Sequence, residues 1–173
     1  MLNNTTRDGR LRPMITSDLE NILKLRNHPK IRQYMLSQHE ISIEEHSSWF
    51  KSVSNDRNVM LYVFDLDELC IGFVQFKRTN HCGVVDWGFY VAPDAPRGTG
   101  KKLGNAALHQ AFEIEGFRKV CGQALKCNKP SHQFHKSLGF VQEGILRYDH
   151  LRGGKYQELV CFGLLSNKWK EKL

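Results

Sequence analysis

A short segment in the middle of the chain combines glycines with positive side chains: Arg97, Gly98, Thr99, Gly100, Lys101 and Lys102. It follows an apolar stretch, residues 84–91, that is typical of a strand. After it, four apolar residues recur on one face of a predicted helix: Leu103, Ala107, Ala111 and Ile114. The first amides of a helix have no intrahelical partner and lie at the positive end of the helix dipole. The segment therefore predicts a site for a pyrophosphate.

The glycine spacing departs from the two common phosphate-binding patterns. Gly98 and Gly100 are too close together for G-x-x-x-x-G-K-[ST], and Leu103 stands where G-x-G-x-x-G has its third glycine. Taken alone, the segment could also be a plain connection between a strand and a helix.

The patterns around this segment predict a mixed α/β domain that covers residues 1–173. Two S-x-x-E capping boxes, which begin at Ser17 and Ser42, predict two N-terminal helices. Further helices follow the glycines and Asn128. Strands are expected over 59–64, 69–76, 84–91, 120–125, 144–151 and 156–164. The strands before and after the glycine-bearing crossover should be parallel and the others mostly antiparallel. Gly88 suggests a bulge or a close backbone approach.

Composition narrows the class of protein. The chain of 173 residues is 40% hydrophobic and has a net charge of +7, with Lys and Arg scattered along it, so nucleic-acid binding is a weaker alternative. We expect a cytoplasmic protein because no apolar run reaches about 20 residues and residues 1–13 carry no signal sequence. The five cysteines lack zinc-site spacing, which predicts buried thiols and no metal.

Two motifs resemble those of the GNAT acetyltransferases. Arg97 and Gly100 match the pattern [R/Q]-x-x-G-x-[G/A], although Lys102 stands where a small residue is usual. Asn128, Ser131 and the Leu138-Gly139-Phe140 stretch resemble the second half of the family pattern. The resemblance implies a single-domain GNAT fold, with a parallel strand pair splayed to admit the co-substrate acetyl-CoA, and direct attack of an amine on the thioester.

The same resemblance implies a set of site residues. Acetyl-CoA would contact Phe89, Tyr90, Val91, Arg97, Gly98, Thr99, Gly100, Lys101, Lys102, Asn128, Ser131 and His135. A backbone amide near Gly88, Phe89 or Tyr90 would polarise the thioester carbonyl. His135 occupies the place where the family usually has a tyrosine that acts as general acid. It would either protonate the leaving thiolate or only pack or hydrogen-bond near the sulfur of CoA. Gln123 cannot accept a proton but could orient a water, and His46, Asp86 and His81 are other candidate bases.

A narrower resemblance concerns the acceptor. Residues 25–29, the strand 86–90 and residues 144–147 are similar to the acetyltransferases of pseudaminic acid biosynthesis, which acetylate the 4-amine of UDP-4-amino-4,6-dideoxy-N-acetyl-β-L-altrosamine. This resemblance implies that Arg26, His46 and Lys77 bind a UDP-linked amino sugar. A protein N-terminus, another small amine and a non-catalytic CoA-binding or nucleic-acid-binding role remain alternatives. The exposed last strand could pair with a second copy of the chain.

Overall fold

One seven-stranded sheet organises the molecule, in the order β1-β2-β3-β4-β5-β7-β6. The computed structural model describes residues 9–170, so most of the N-terminal stretch considered above lies outside the described residues. The strands are β1 (Arg10–Pro13), β2 (Val59–Leu66), β3 (Leu69–Arg78), β4 (Val84–Val91), β5 (Lys119–Leu125), β6 (Val141–Arg152) and β7 (Lys155–Leu165). The α-helices are α1 (Leu19–Asn27), α2 (Pro29–Arg32), α3 (Ile43–Ser54), α4 (Thr99–His109), α5 (Lys129–Leu138) and α6 (Ser166–Lys170).

The two predicted hairpins are present, with tighter turns than expected. Strands β2 and β3 meet at Asp67 and Glu68, both with positive φ, because pairing extends as far as Leu66 opposite Leu69. Strands β6 and β7 turn at Gly153 and Gly154, whose φ values of 55° and 75° are those that a two-residue hairpin turn requires.

The start of the chain differs from the prediction. Strand β1 was not expected, and the capping box that begins at Ser17 does not form. Asp18 accepts hydrogen bonds instead from the Ile15 amide at 2.8 Å and from two nitrogens of Arg12. These bonds hold a 3-10 turn over Thr16–Asp18, and α1 begins at Leu19. The box at Ser42 is confirmed by reciprocal hydrogen bonds with Glu45.

Strands β4 and β5 are parallel, as the crossover predicts. Helices α4 and α5 cover one face of the sheet, and α1 and α3 cover the other. Gly104 lets α4 approach α5, since a Cβ at this position would lie 2.6 Å from Leu138 Cδ1. The apolar face predicted for α4 does not extend to Ile114. Residues 110–114 form a π-helix, and this change of helical period leaves Ile114 63% exposed. Pairing of β4 with β3 is continuous, so Gly88 marks no bulge.

The cysteines are free thiols. Cys70, Cys121 and Cys161 are half-buried, whereas Cys82 and Cys127 are exposed because they lie in turns, contrary to the expectation of buried thiols. Residues 9–170 contain no group of three or more His, Cys, Asp or Glu side chains that could hold a metal ion. Within the same residues, no helix combines the length and apolar character needed to cross a membrane.

Candidate active site

Strands β4 and β5 separate after a short parallel pairing. Val84–Asp86 pairs with residues 119–121, and beyond this point the two strands continue without pairing to each other. A cavity of about 630 Å³, here called the donor cavity, opens in the gap. Its lining includes residues from both strands, α4 and α5: Phe89, Val91, Gly100, Gln123, Asn128 and Phe134.

The backbone of β4 presents amides to this gap. Ala92 donates to the carbonyl oxygen of Ile71 at 2.7 Å, and peptide directions alternate along a regular antiparallel ladder. The amides of Phe89 and Val91 therefore point away from β3 and toward the gap. The amides of Gly88 and Tyr90 point toward β3, so of the three amides considered in the sequence only that of Phe89 faces the gap. An amide held in this way could stabilise charge that develops on a carbonyl oxygen.

The loop before α4 ends in a left-handed glycine. Gly98 has a φ of 92°, which residues with a side chain rarely adopt. The Lys102 amide makes an intrahelical bond to the Gly98 carbonyl oxygen at 3.2 Å. The amides of Gly100 and Lys101 precede this bond and lie at the positive end of the helix dipole. This end of α4 adjoins the donor cavity, which Gly100 lines.

The side chains of this segment divide into exposed and internal ones. Arg97, Lys101 and Lys102 are exposed, whereas Thr99 is buried. The Thr99 hydroxyl and amide both donate to the carbonyl oxygen of Pro96, at 2.7 and 3.1 Å. These bonds use both donors of Thr99 within the loop, so its predicted contact with a cofactor has no support.

Asn128 and Ser131 connect the second motif to the donor cavity, which both residues line. The Asn128 side-chain oxygen accepts from the Ser131 amide at 3.1 Å, so the predicted helix cap is confirmed. The contact of these two residues with a cofactor stays a prediction.

His135 is 1% exposed at the wall of the donor cavity. Its Nδ1 donates to the carbonyl oxygen of Ser131 at 2.8 Å, and its Nε2 accepts from Trp87 Nε1 at 3.1 Å. Burial lowers the pKa of His135 to about 4, which keeps the ring neutral near pH 7. Because the proton on Nδ1 is held by a backbone carbonyl, this geometry gives no support to His135 as a general acid and favours its packing role.

A second cavity of about 430 Å³, here called the acceptor cavity, lies between the sheet and helices α1 and α3. Trp49 and Phe73 supply much of its apolar wall. Two buried polar atoms of its lining residues have no hydrogen-bond partner: Arg26 Nη1 and His46 Nε2. Burial lowers the pKa of both side chains, and the positive charge of Arg26 further lowers that of His46.

The two cavities share one wall, formed by Met35 and residues 88–90. The Tyr90 ring stacks on Phe73 at 5.0 Å between ring centroids, and burial raises the pKa of its phenol well above the ordinary value. At Gly88, a Cβ would meet no heavy atom within 4 Å. Groups bound in the two cavities could therefore meet above Gly88 and Phe89.

The other predicted site residues are not all brought together. Gln123 and Asp86 line the donor cavity, and burial raises the pKa of Asp86 although nearby Lys77 opposes this effect. Lys77 pairs with Asp86 across β3 and β4, but it lines neither cavity. His81 lies in the exposed turn before β4.

Sequence reasoning missed the contribution of the segment that follows α2. Tyr34, Met35 and Leu36 line the donor cavity, and Met35 also lines the acceptor cavity. This segment has no helical or strand periodicity, so only its position in the fold reveals it. Trp87 and Phe134 also line the donor cavity, and their place in its wall was not predicted.

Comparisons with known proteins agree with this geometry. A family profile described as an acetyltransferase (GNAT) domain matches residues 10–141. The acetyltransferase PseH of Campylobacter jejuni is 32% identical over 130 residues, which cover 74% of this chain and 76% of that protein. The spermidine N(1)-acetyltransferase of Vibrio cholerae is 25% identical over 162 residues, which cover 92% of this chain and 94% of that protein.

A similar fold occurs among solved structures. The crystal structure of spermidine N-acetyltransferase from Vibrio cholerae, in complex with CoA and spermine, superposes with a TM-score of 0.86. The match covers 94% of this chain and 98% of that one at 23% sequence identity.

Proposed function

This chain belongs to the GNAT family of acetyltransferases, and from that premise we propose that it acetylates the 4-amino group of a UDP-linked amino sugar. The proposed acceptor is UDP-4-amino-4,6-dideoxy-N-acetyl-β-L-altrosamine, and the acetyl donor is acetyl-CoA. The observation that carries the choice of acceptor is the unpartnered, buried Arg26 Nη1 at an aromatic cavity.

The residues of the donor cavity fit acetyl-CoA. The first amides of α4 suit its pyrophosphate, with Arg97, Lys101 and Lys102 nearby to add positive charge. The Val91 amide suits the amide-bearing pantetheine arm, which would lie along the free edge of β4 as an added strand does, and the Phe89 amide stays available for the thioester carbonyl. The direction of this amide and the separation of β4 from β5 beyond Asp86 support this orientation.

The acceptor cavity favours an anionic or oxygen-rich acceptor over a polycation. Arg26 places a positive charge at its wall, and an unpaired buried donor is costly unless a ligand satisfies it. The one carboxylate among its lining residues, Glu45, already accepts from the Ser42 amide and contacts His39. A diphosphate or sugar oxygen would complement Arg26, whereas a polyamine would be repelled by it. Trp49 offers an apolar surface for a base or a sugar methyl group.

The chemistry then follows from the shared wall. A sugar amine should titrate closer to an α-amino group, at about 8, than to lysine, so a weak base is sufficient. The amine attacks the thioester carbonyl, and the Phe89 amide stabilises the oxyanion. We assign transfer of the amine proton to a water oriented by Gln123, which passes it to the Asp86 carboxylate; both residues line the donor cavity. The leaving thiolate, with a pKa of about 8.5, needs no acid from His135.

The direct test measures thiol release from acetyl-CoA with purified protein and three acceptors. We expect turnover with the UDP-amino sugar and little with spermidine or with a ribosomal-protein N-terminal peptide. Faster turnover with either of the other two acceptors would overturn the assignment. Absence of turnover with all three, together with salt-dependent binding to DNA or RNA, would instead indicate a non-catalytic domain.

Arg26 provides the matched test within the protein. Its Nη2 donates to the carbonyl oxygen of Ser37 at 2.9 Å, so Arg26→Ala removes a bond to the segment that follows α2 as well as changing the acceptor cavity. Arg26→Lys keeps the charge and is the control. We expect Arg26→Ala to raise the KM for the UDP-sugar far more than that for acetyl-CoA, with Arg26→Lys intermediate. Equal effects on both KM values would point to a folding role.

A further inference from the structure

The segment between α2 and α3, residues 33–42, runs over the wall that the two cavities share; we call it the strap. Tyr34, Met35 and Leu36 line the donor cavity, and Met35 also lines the acceptor cavity. The first amides of the strap, those of Gln33, Tyr34 and Met35, donate to carbonyl groups of α2. The strap has no regular secondary structure, and side chains of other elements bind the carbonyl groups of its backbone.

One side of the strap is tied to α1. Asn27 donates to the carbonyl oxygen of Ile41 at 2.8 Å and accepts from the Ile41 amide at 2.9 Å. Arg26 Nη2 donates to the carbonyl oxygen of Ser37 at 2.9 Å. These bonds fix the second half of the strap beside the acceptor cavity.

The other half is tied to β6, a strand distant in sequence and at the edge of the sheet. His150 Nε2 donates to the carbonyl oxygen of Leu36 at 3.0 Å, and Arg152 Nη2 donates to that of Gln33. The Gln38 side-chain amide lies beside the same guanidinium, and assigning its oxygen to the near side gives a third contact, which accepts from Arg152 Nη2 at 2.7 Å. These donors act on carbonyl groups next to the lining residues Tyr34 and Met35.

A bulge in β6 accompanies this arrangement. Leu146 pairs with Leu159, and His150 pairs with Gln157, so β6 contains two more residues than β7 between these pairs. Within the bulge, Tyr148 has a φ of 50°, an uncommon conformation for a residue with a side chain. Bulges bend a strand and redirect the side chains near them. Here the bulge immediately precedes the two residues that bind the strap.

We propose that His150 and Arg152 are positioning residues that hold the strap over both cavities, and thereby shape the place where acetyl donor and acceptor meet. The inference rests on the proposed function of this site, because it assigns to β6 the control of its substrate-binding wall. Neither residue lines the donor cavity or the acceptor cavity, so both would act on them through the backbone of residues 33–36.

The test compares a double variant, His150→Ala with Arg152→Ala, against two others. His150→Gln with Arg152→Lys keeps a donor at each position and should restore the contacts. Leu151→Ala is the matched control, since Leu151 lies between the two residues and its side chain is 57% exposed. Hydrogen exchange of the amides in residues 33–42 gives a readout that does not depend on the acceptor.

We expect the double alanine variant to exchange the strap amides on the order of tenfold faster or more, because two or more hydrogen bonds are lost. Exchange in β2 and β3 should not change. The KM for the acceptor should rise at least several-fold while kcat at saturation changes less. The Gln/Lys variant should have strap exchange rates and a KM for the acceptor near those of the wild type. Leu151→Ala should match the wild type in both measurements.

The outcomes separate this inference from the proposed function. Unchanged strap exchange in the double alanine variant would overturn the inference, whatever the acceptor proves to be. Faster exchange with an unchanged KM would overturn the role in substrate binding. Failure of the UDP-sugar as a substrate, with faster strap exchange and a higher KM for the amine that does react, would overturn only the assigned acceptor.

Discussion

Gly122 supports the most quantitative prediction. A Cβ at this position would lie 2.5 Å from His135 Nε2 and 2.6 Å from Trp87 Nε1, the two atoms that share a hydrogen bond of 3.1 Å. Real Cβ atoms essentially never come this close, so Gly122→Ala must move one or both rings. Movement is restricted because His135 also stacks on Phe162, with ring centroids 4.6 Å apart.

The expected loss of stability has two parts. Excess volume in a packed core costs about 1–3 kcal/mol. A buried donor and acceptor that lose each other cost roughly 1–3 kcal/mol more. A total of about 2–6 kcal/mol is a large share of the roughly 5–15 kcal/mol that stabilises a typical domain. At about 2–4 °C per kcal/mol for a chain of this size, this loss corresponds to a fall in Tm of about 4–24 °C.

Urea and thermal unfolding followed by circular dichroism measure this loss. Gly144→Ala is the matched control, because a Cβ at Gly144 would meet no heavy atom within 4 Å. We expect the control to change the free energy of unfolding by less than about 1 kcal/mol. A Gly122→Ala variant as stable as this control would refute the reasoning that the hydrogen bond between Trp87 and His135 is rigidly packed.

Three further predictions concern the same region. The pKa of His135 falls from 6.5 in the unfolded chain to about 4 in the fold, so its contribution of roughly 3 kcal/mol to the free energy of unfolding is present above pH 6.5 and lost as pH falls toward 4. His135→Phe should flatten the dependence of stability on pH between these values. An unaltered dependence would contradict the burial argument. If the Phe89 amide stabilises the oxyanion, Phe89→Pro should fold but lower kcat by about 100-fold or more. Phe89→Ala keeps the amide, so its kcat should fall less. Equal falls in kcat would indicate that the side chain, and not the amide, carries the effect. Asn128→Ala should lower stability by about 1 kcal/mol through the lost cap and raise the KM for acetyl-CoA, and a stability loss with an unchanged KM would limit Asn128 to capping.

Local sequence patterns predicted most of the elements because they depend on local chemistry. The Ser42 box, the Asn128 cap and the turn at Gly153 and Gly154 are each specified by residues a few positions apart. Strand β1 was missed because four residues carry little periodicity, and it is defined by pairing with β2, about 50 residues away. The Ser17 box failed because Ser17 lies inside the 3-10 turn that is held by the bonds of Asp18 to Arg12 and the Ile15 amide, so Ser17 cannot act as an N-cap.

Local patterns in the sequence were sufficient to predict the elements from β2 to β7 in order, the parallel crossover and the glycine-bearing helix start, because each depends on neighbours along the chain. Tertiary structure alone decided which β4 amide faces the gap, that His135 is neutral and enclosed, and that residues 33–42 close the wall between two cavities. These features depend on strand register, burial and contacts between residues far apart in sequence, such as Leu36 and His150. No pattern within a short stretch of the chain encodes such distances.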